Sequence, residues 1–262
     1  MNPSGLVNLA ATQLFGEVYA LFVNEGTTIF TENPLNLSVQ TVQQILTHKI
    51  KNWSLVTDVN GNAVTNAPLA ITIVNREKGS GSRTATDLLI AGDTCQTQQS
   101  LGIKEPSTVT DYFSTGDVLN AASSTAGSIT YATIDNAPVS STQQVIAING
   151  VAANTLNAAT GRYPFWVEAT VAVNPNNTLS AAQANLLTYV TTTLQSIATA
   201  PHIADINAIP NIAGNVAHVN VAGNGNTATG SLTGLGSTVI YTNPFTRNQV
   251  TCSVPSNAAS VP

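Results

Sequence analysis

A run of β-branched and apolar residues, Leu69-Ala-Ile-Thr-Ile-Val74, leads directly into Arg76-Glu-Lys-Gly-Ser-Gly-Ser-Arg83, and residues 84–91 then have helical character. β-Branched residues favour the pleated strand. A strand that feeds a glycine turn and then a helix commits the chain to packing helices on a sheet. The same unit has chemistry. The first N–H groups of a helix have no internal partner, and the helix dipole places partial positive charge beside them. Gly79 and Gly81 permit positive φ and close approach of the backbone to a ligand. Ser80 and Ser82 add hydroxyl donors, and the Arg76 and Arg83 guanidiniums offer paired donors suited to a tetrahedral oxyanion. The bland alternative is an ordinary Gly-Ser turn with two solvated arginines. The segment is neither a Walker loop nor the dinucleotide Gly-x-Gly-x-x-Gly fingerprint.

Other segments extend the alternation. Residues 6–15 fit a short helix or an extended lead-in, and residues 17–23 a strand. Ser38 is a good N-cap for a helix in which Val39, Val42, Ile45 and Leu46 recur at helical spacing, expected to end near His48–Lys51. Strands are expected at 127–132, 145–150 and 163–173. Ser180 opens a helix through Leu194 with Ala184, Leu187, Val190 and Leu194 as its apolar face. Strands alternating with helices give an α/β class. From Asn211 onward glycines punctuate Val-, Asn- and Thr-rich pieces, which reads as β-hairpins and loops.

Charged residues make up only 8% of the 262, against roughly 25% in an ordinary soluble domain. Surface polarity must come from Thr, Asn, Ser and Gln. Such a surface fits a secreted or cell-surface protein better than a cytosolic enzyme, and it tolerates close association with other chains. Net charge is −5 with no basic run, which argues against nucleic acid as a partner. Capture of an anion must therefore rely on local hydrogen bonds. The apolar stretch 5–23 is interrupted by Asn8, Gln13 and Glu17 and is not a membrane span. It has no basic leader, so an exported chain is expected to be a mature form. Cys95 and Cys252 lack metal-ligand spacing; they form one disulfide or are two unrelated buried thiols.

Catalysis finds no footing. His48, His202 and His218 are scattered, Asp87, Asp93 and Asp135 are isolated acids, and no Gly-x-Ser-x-Gly elbow exists. The expectation is a non-enzymatic protein with no cofactor and no metal. Trp53 and Trp166 read as core.

The order of landmarks resembles the phosphate-binding proteins of bacterial ABC uptake systems, a branch of the type 2 periplasmic binding-protein fold. The matching pieces are Tyr19-Ala-Leu-Phe-Val-Asn24, Asn33-Pro34-Leu35, the Ser38–Thr47 helix and Lys49-Ile-Lys-Asn-Trp53. Then come Arg76 to Arg83 with Ser82 in place of Thr, Gly127-Ser-Ile-Thr-Tyr131 with Thr130 in place of Gly, Ile148-Asn-Gly150 and Tyr163-Pro164. The resemblance covers about residues 17–210. It implies that Arg76, Ser80, Gly81 and Ser82 contact phosphate, with Arg83 an added contact or a support behind them.

The resemblance also implies an organisation. Residues 15–157 are expected to form a nearly complete anion-binding lobe. Residues 1–14 and 158–262 are expected to form a partial second lobe, with 211–262 as a Gly-rich β extension. The resemblance implies that the portion building much of the family's other lobe is expected to lack a counterpart in these residues. The implied function is non-catalytic binding of inorganic phosphate or a similar oxyanion in the periplasm or at the cell surface. The alternative is an extracellular structural protein that uses a truncated fold for self-association, or that is completed by another chain. Lys78 stands where relatives often carry an acid, so a carboxylate accepting the proton of hydrogen phosphate is not expected.

Overall fold

The computed structural model describes residues 10–28, 30–92 and 111–196 and five short strands further on. The sequence divides into two compact units. A central unit comprises 19–157 with 163–165, and a flanking unit comprises 1–18, 158–162 and 166–262. The class is α/β with a mixed sheet.

The central unit is built on β1 (Ala10–Asn24), of which residues from Tyr19 onward belong to it. β2 (Asn36–Leu37) leads to α1 (Val39–Leu46). Ser38 Oγ accepts from Thr41 N–H at 2.9 Å, as its N-cap role requires. The helix buries Val42, Ile45 and Leu46. It ends earlier than its sequence suggests, because His48 takes a left-handed φ of 57° and its N–H turns back to Ile45 O at 2.8 Å. A 3₁₀ turn over Trp53–Leu55 follows, with Trp53 wholly buried and its Nε1–H donating to Gly127 O at 2.9 Å.

The expected strand over Leu69–Val74 splits between two partners. Ile71 N–H bonds Lys51 O and Trp53 N–H bonds Leu69 O, while only Thr72–Ile73 (β3) pairs in the sheet. α2 (Gly81–Leu89), α3 (Thr115–Ser123), β4 (Ser128–Thr133), β5 (Gln143–Val145), β6 (Ala147–Ile148) and α4 (Thr155–Ala159) complete the order. The central sheet runs β3-β4-β1-β5, with β3 parallel to β4 and β1 antiparallel to both β4 and β5. β2 and β6 form a separate parallel pair.

Alternation along β1 sorts its side chains onto two faces. Ala20 and Phe22 pack with Leu119 of α3 and Ala132 of β4. Val118 and Ala122 of the same helix cover Val74. Tyr19, Leu21 and Val23 point the other way, opposite Thr133, Tyr131 and Ile129.

In the flanking unit, residues 10–18 of β1 pair antiparallel with β7 (Trp166–Val173) and with β8 (Ala208–Pro210). The lead-in to residue 15 is thus strand from Ala10, not helix, because Ala10 to Gln13 are laddered to Val173 to Thr170. α5 (Ala181–Leu194) has a complete capping box. Ser180 Oγ accepts from Gln183 N–H, and Gln183 returns a bond to Ser180 N–H. β9 (His218–Val221) and β10 (Thr238–Tyr241) form an antiparallel pair, as do β11 (Phe245–Thr246) and β12 (Ser256–Asn257). Trp53 and Trp166 are both core residues. Cys95, Cys252, His202 and most of 211–262 lie outside the described residues. No helix among the described residues is long and apolar enough to cross a membrane.

Candidate functional site

After β3 the chain leaves the sheet beside Tyr112. Tyr112 N–H bonds Asn75 O at 3.1 Å and Glu77 N–H bonds Tyr112 O at 3.0 Å, which fixes Arg76 between them. Arg76 N–H donates to the Tyr131 hydroxyl at 3.3 Å. Burial pushes the Tyr131 phenol well above its ordinary range, so it stays neutral and available as an acceptor. Gly79 takes a φ of +94°, and Ser80 N–H closes the turn on Glu77 O at 3.2 Å. Only glycine adopts that φ without strain.

Ser80 occupies the N-cap of α2 but makes no side-chain cap bond. Its hydroxyl lies 2.9 Å from Ser82 Oγ instead. The start of α2 is therefore not neutralised by its own serine.

The Arg76 guanidinium reaches across to a second helix start. Nη1 donates to Thr115 Oγ1 at 2.8 Å and, more weakly, to Ser82 Oγ at 3.4 Å. Nη2 donates to Phe113 O at 2.6 Å. Nε is buried and has no hydrogen-bond partner among the described residues. Thr115 is the first residue of α3, whose N-cap Ser114 accepts from Asp117 N–H at 3.1 Å. The geometry sets a direction. A hydroxyl that accepts from guanidinium keeps its own proton free to donate elsewhere.

Arg76, Ser80, Gly81, Ser82 and Thr115 surround a cavity of about 260 Å³ whose remaining wall is Tyr19 and Thr133. Tyr19 and Thr133 are direct cross-strand partners in β1 and β4. Among the described residues, this lining carries one cation, hydroxyls and a helix start, with no imidazole or carboxylate to act as a base. No cluster of potential metal ligands occurs among the described residues. Chemically the arrangement donates hydrogen bonds into one space and suits an oxyanion.

Four of the sequence candidates, Arg76, Ser80, Gly81 and Ser82, line this cavity. Gly79 shapes the turn without lining it. Arg83 is only 6% exposed and faces inward. Its Nη1 donates to Arg76 O at 3.0 Å and to Asp111 Oδ1 at 3.3 Å, and its Nε sits 3.8 Å from Asp87 Oδ2. Arg83 thus holds the turn from behind. Tyr19, Thr115 and Thr133 were not among the candidates. A signal existed for one of them: Ser114-x-x-Asp117 ahead of apolar Val118 and Leu119 marks a helix start and places Thr115 at it.

Comparison with known proteins is consistent with the geometry. Residues 10–193 match the profile of the PBP superfamily domain. An ABC-type phosphate transport receptor from Vibrio cholerae superposes with a TM-score of 0.57 at 18% identity, covering 77% of this chain and 72% of that one. A putative phosphate ABC transporter substrate-binding protein with bound phosphate from Clostridium perfringens gives 0.55 at 19% identity, with the same coverage of 77% and 72%. A phosphate-binding protein from Stenotrophomonas maltophilia gives 0.54 at 17% identity, covering 80% and 70%. At these identities the likeness is one of fold. No curated protein matches the chain in sequence.

Proposed function

The chain belongs to the PBP superfamily, and from that premise we propose that it binds phosphate or a similar tetrahedral oxyanion without catalysis, outside the cytoplasm. The observation that carries the reading is the Arg76 guanidinium joined to the Thr115 and Ser82 hydroxyls around one cavity. The anion's oxygens meet the guanidinium, the Thr115 proton and the proton of whichever of Ser80 and Ser82 accepts in their mutual hydrogen bond, with the start of α2 behind them. The anion-binding lobe is assigned to residues 15–157, with Arg83 and Gly79 supporting the turn. The proteins of like fold named above are described as phosphate-binding, which agrees with this ligand class.

The strength of such a site follows from its bonds. Hydrogen bonds to charged groups contribute about 1.5–3 kcal/mol each, and association costs about 4 kcal/mol or more. Four bonds then leave about 2–8 kcal/mol, a dissociation constant between tens of millimolar and about micromolar. Isothermal titration with phosphate and with sulfate tests this. Heat is expected with both anions, because none of the described lining residues offers a carboxylate to accept a phosphate proton and disfavour sulfate. Absence of heat with either anion at concentrations up to roughly 100 mM sinks the reading. No feature of the described residues favours a structural, self-assembling role over it.

A further inference from the structure

We propose that the natural ligand is a phosphate monoester bearing a flat organic group, and that Phe113 is the surface against which this group stacks. The inference rests on the oxyanion reading of the same site. Phe113 is 76% exposed, more than any other large apolar side chain among the described residues. Burying such a ring is worth about 1.5–3 kcal/mol, so an uncovered one is a standing opportunity for a ligand. A single exposed ring ordinarily carries no meaning. What distinguishes Phe113 is how its backbone is held.

Its carbonyl accepts from Arg76 Nη2 at 2.6 Å, and Thr115, two residues on, accepts from Arg76 Nη1 at 2.8 Å. The preceding residue, Tyr112, is bonded through its main chain to Asn75 and Glu77 on the binding turn. The base of the Phe113 side chain is therefore pinned to the same guanidinium that would grip the anion. The ring stands out in solvent from that anchored base.

The cavity supplies the second observation. It opens to solvent, so the anion held there can carry an organic group, with its charged head on Arg76, Ser82 and Thr115 and its ester oxygen leading that group outward. Aromatic pairs stack offset or edge-on with centroids about 4.5–7 Å apart, a range that an anchored but uncovered ring can meet.

Titration calorimetry of the full chain with inorganic phosphate and with phenyl phosphate tests the proposal, in wild type and in Phe113→Ala and Phe113→Tyr. Phenyl phosphate is expected to bind about three- to tenfold more tightly than phosphate. In Phe113→Ala the ratio of the two dissociation constants falls to about one, and in Phe113→Tyr it is retained. Phosphate binding without a phenyl preference overturns this proposal and leaves the oxyanion reading standing. A ratio that Phe113→Ala does not change overturns it as well. Failure of both ligands to bind overturns the oxyanion reading together with it.

Discussion

α1 in the central unit and α5 in the flanking unit begin alike and end differently. Each is capped by a serine, Ser38 and Ser180, and each has apolar residues at helical spacing. α1 buries Val42, Ile45 and Leu46 completely, whereas α5 buries none of its residues and leaves Leu186 63% and Tyr189 67% exposed. The faces of α5 are still ordered much as its sequence suggests, since Ala184, Leu187, Val190 and Leu194 are all half-buried, joined only by Thr191 and Thr193. Periodicity therefore tells which face would turn inward. It does not tell how much there is to pack against. Composition carries a trace of the difference, because Asp205 and Arg247 are the only charged residues after Glu168. With few charges to mark an outer face, the apolar and polar residues of this part are weakly sorted.

The largest effect expected from this contrast is in the central core. Trp53 is wholly buried, tilted against Phe30 with ring centroids 5.1 Å apart, and hydrogen-bonded to Gly127 O. Trp53→Ala should cost about 3–5 kcal/mol, combining lost transfer energy, a cavity and the loss of one of the two hydrogen bonds to Gly127 O, which keeps the bond from Thr72 N–H. Denaturant unfolding would measure it. A loss below about 1 kcal/mol would mean that the central unit is no better packed than α5, and the comparison would fail.

The next effect is in the site. Arg76→Ala removes the guanidinium bonds to Thr115, Ser82 and Phe113 together with the cation itself. Phosphate affinity should fall roughly a hundredfold, as expected for about two charge-assisted bonds. Arg76→Lys keeps the charge but loses the planar fork, so it should recover only part of that loss. Equal affinity in Arg76→Ala and wild type would place the anion elsewhere.

The same comparison explains what could be read in advance. Ser38 and Ser180 were legible as caps because a cap is a local event between residues three apart. The binding turn was legible because Arg76, Ser80, Gly81 and Ser82 are close in sequence. Tyr19 and Thr133 were not, since only the register of β1 against β4 brings them together. The burial of Arg83 was hidden for a similar reason, as its partner Asp111 lies 28 residues away. The extended form of residues 10–15 depends on pairing with β7, across more than 150 residues, and local pattern does not encode that.

Arg83 gives a smaller test. Asp111→Asn removes the charge facing Arg83 Nη1 while keeping an acceptor, at a site whose carboxylate side chain is 30% exposed. Partial exposure screens the pair, so the stability cost should be about 1 kcal/mol or less. Phosphate affinity should drop a few-fold, because Arg83 Nη1 also holds the Arg76 carbonyl. A stability loss with no change in affinity would make Arg83 a purely structural residue, with no part in setting Arg76.

The smallest expected effect bears most directly on the contrast between the helices. Leu186 and Leu187 are adjacent in α5, but Leu186 is 63% exposed while Leu187 is half-buried. Leucine and glutamine have similar helix propensities, so a Leu→Gln change at either position reports burial and little else. Leu187→Gln should cost about 1 kcal/mol, a fraction of the value for a fully buried leucine. Leu186→Gln should stay within about 0.5 kcal/mol of wild type. The pair is informative because each variant controls for the other in helix position, capping and neighbours. If Leu186→Gln is as costly as Leu187→Gln, the outward face of α5 is covered in solution. The difference between the two helices would then lie in what covers α5, and no longer in how much of it is buried.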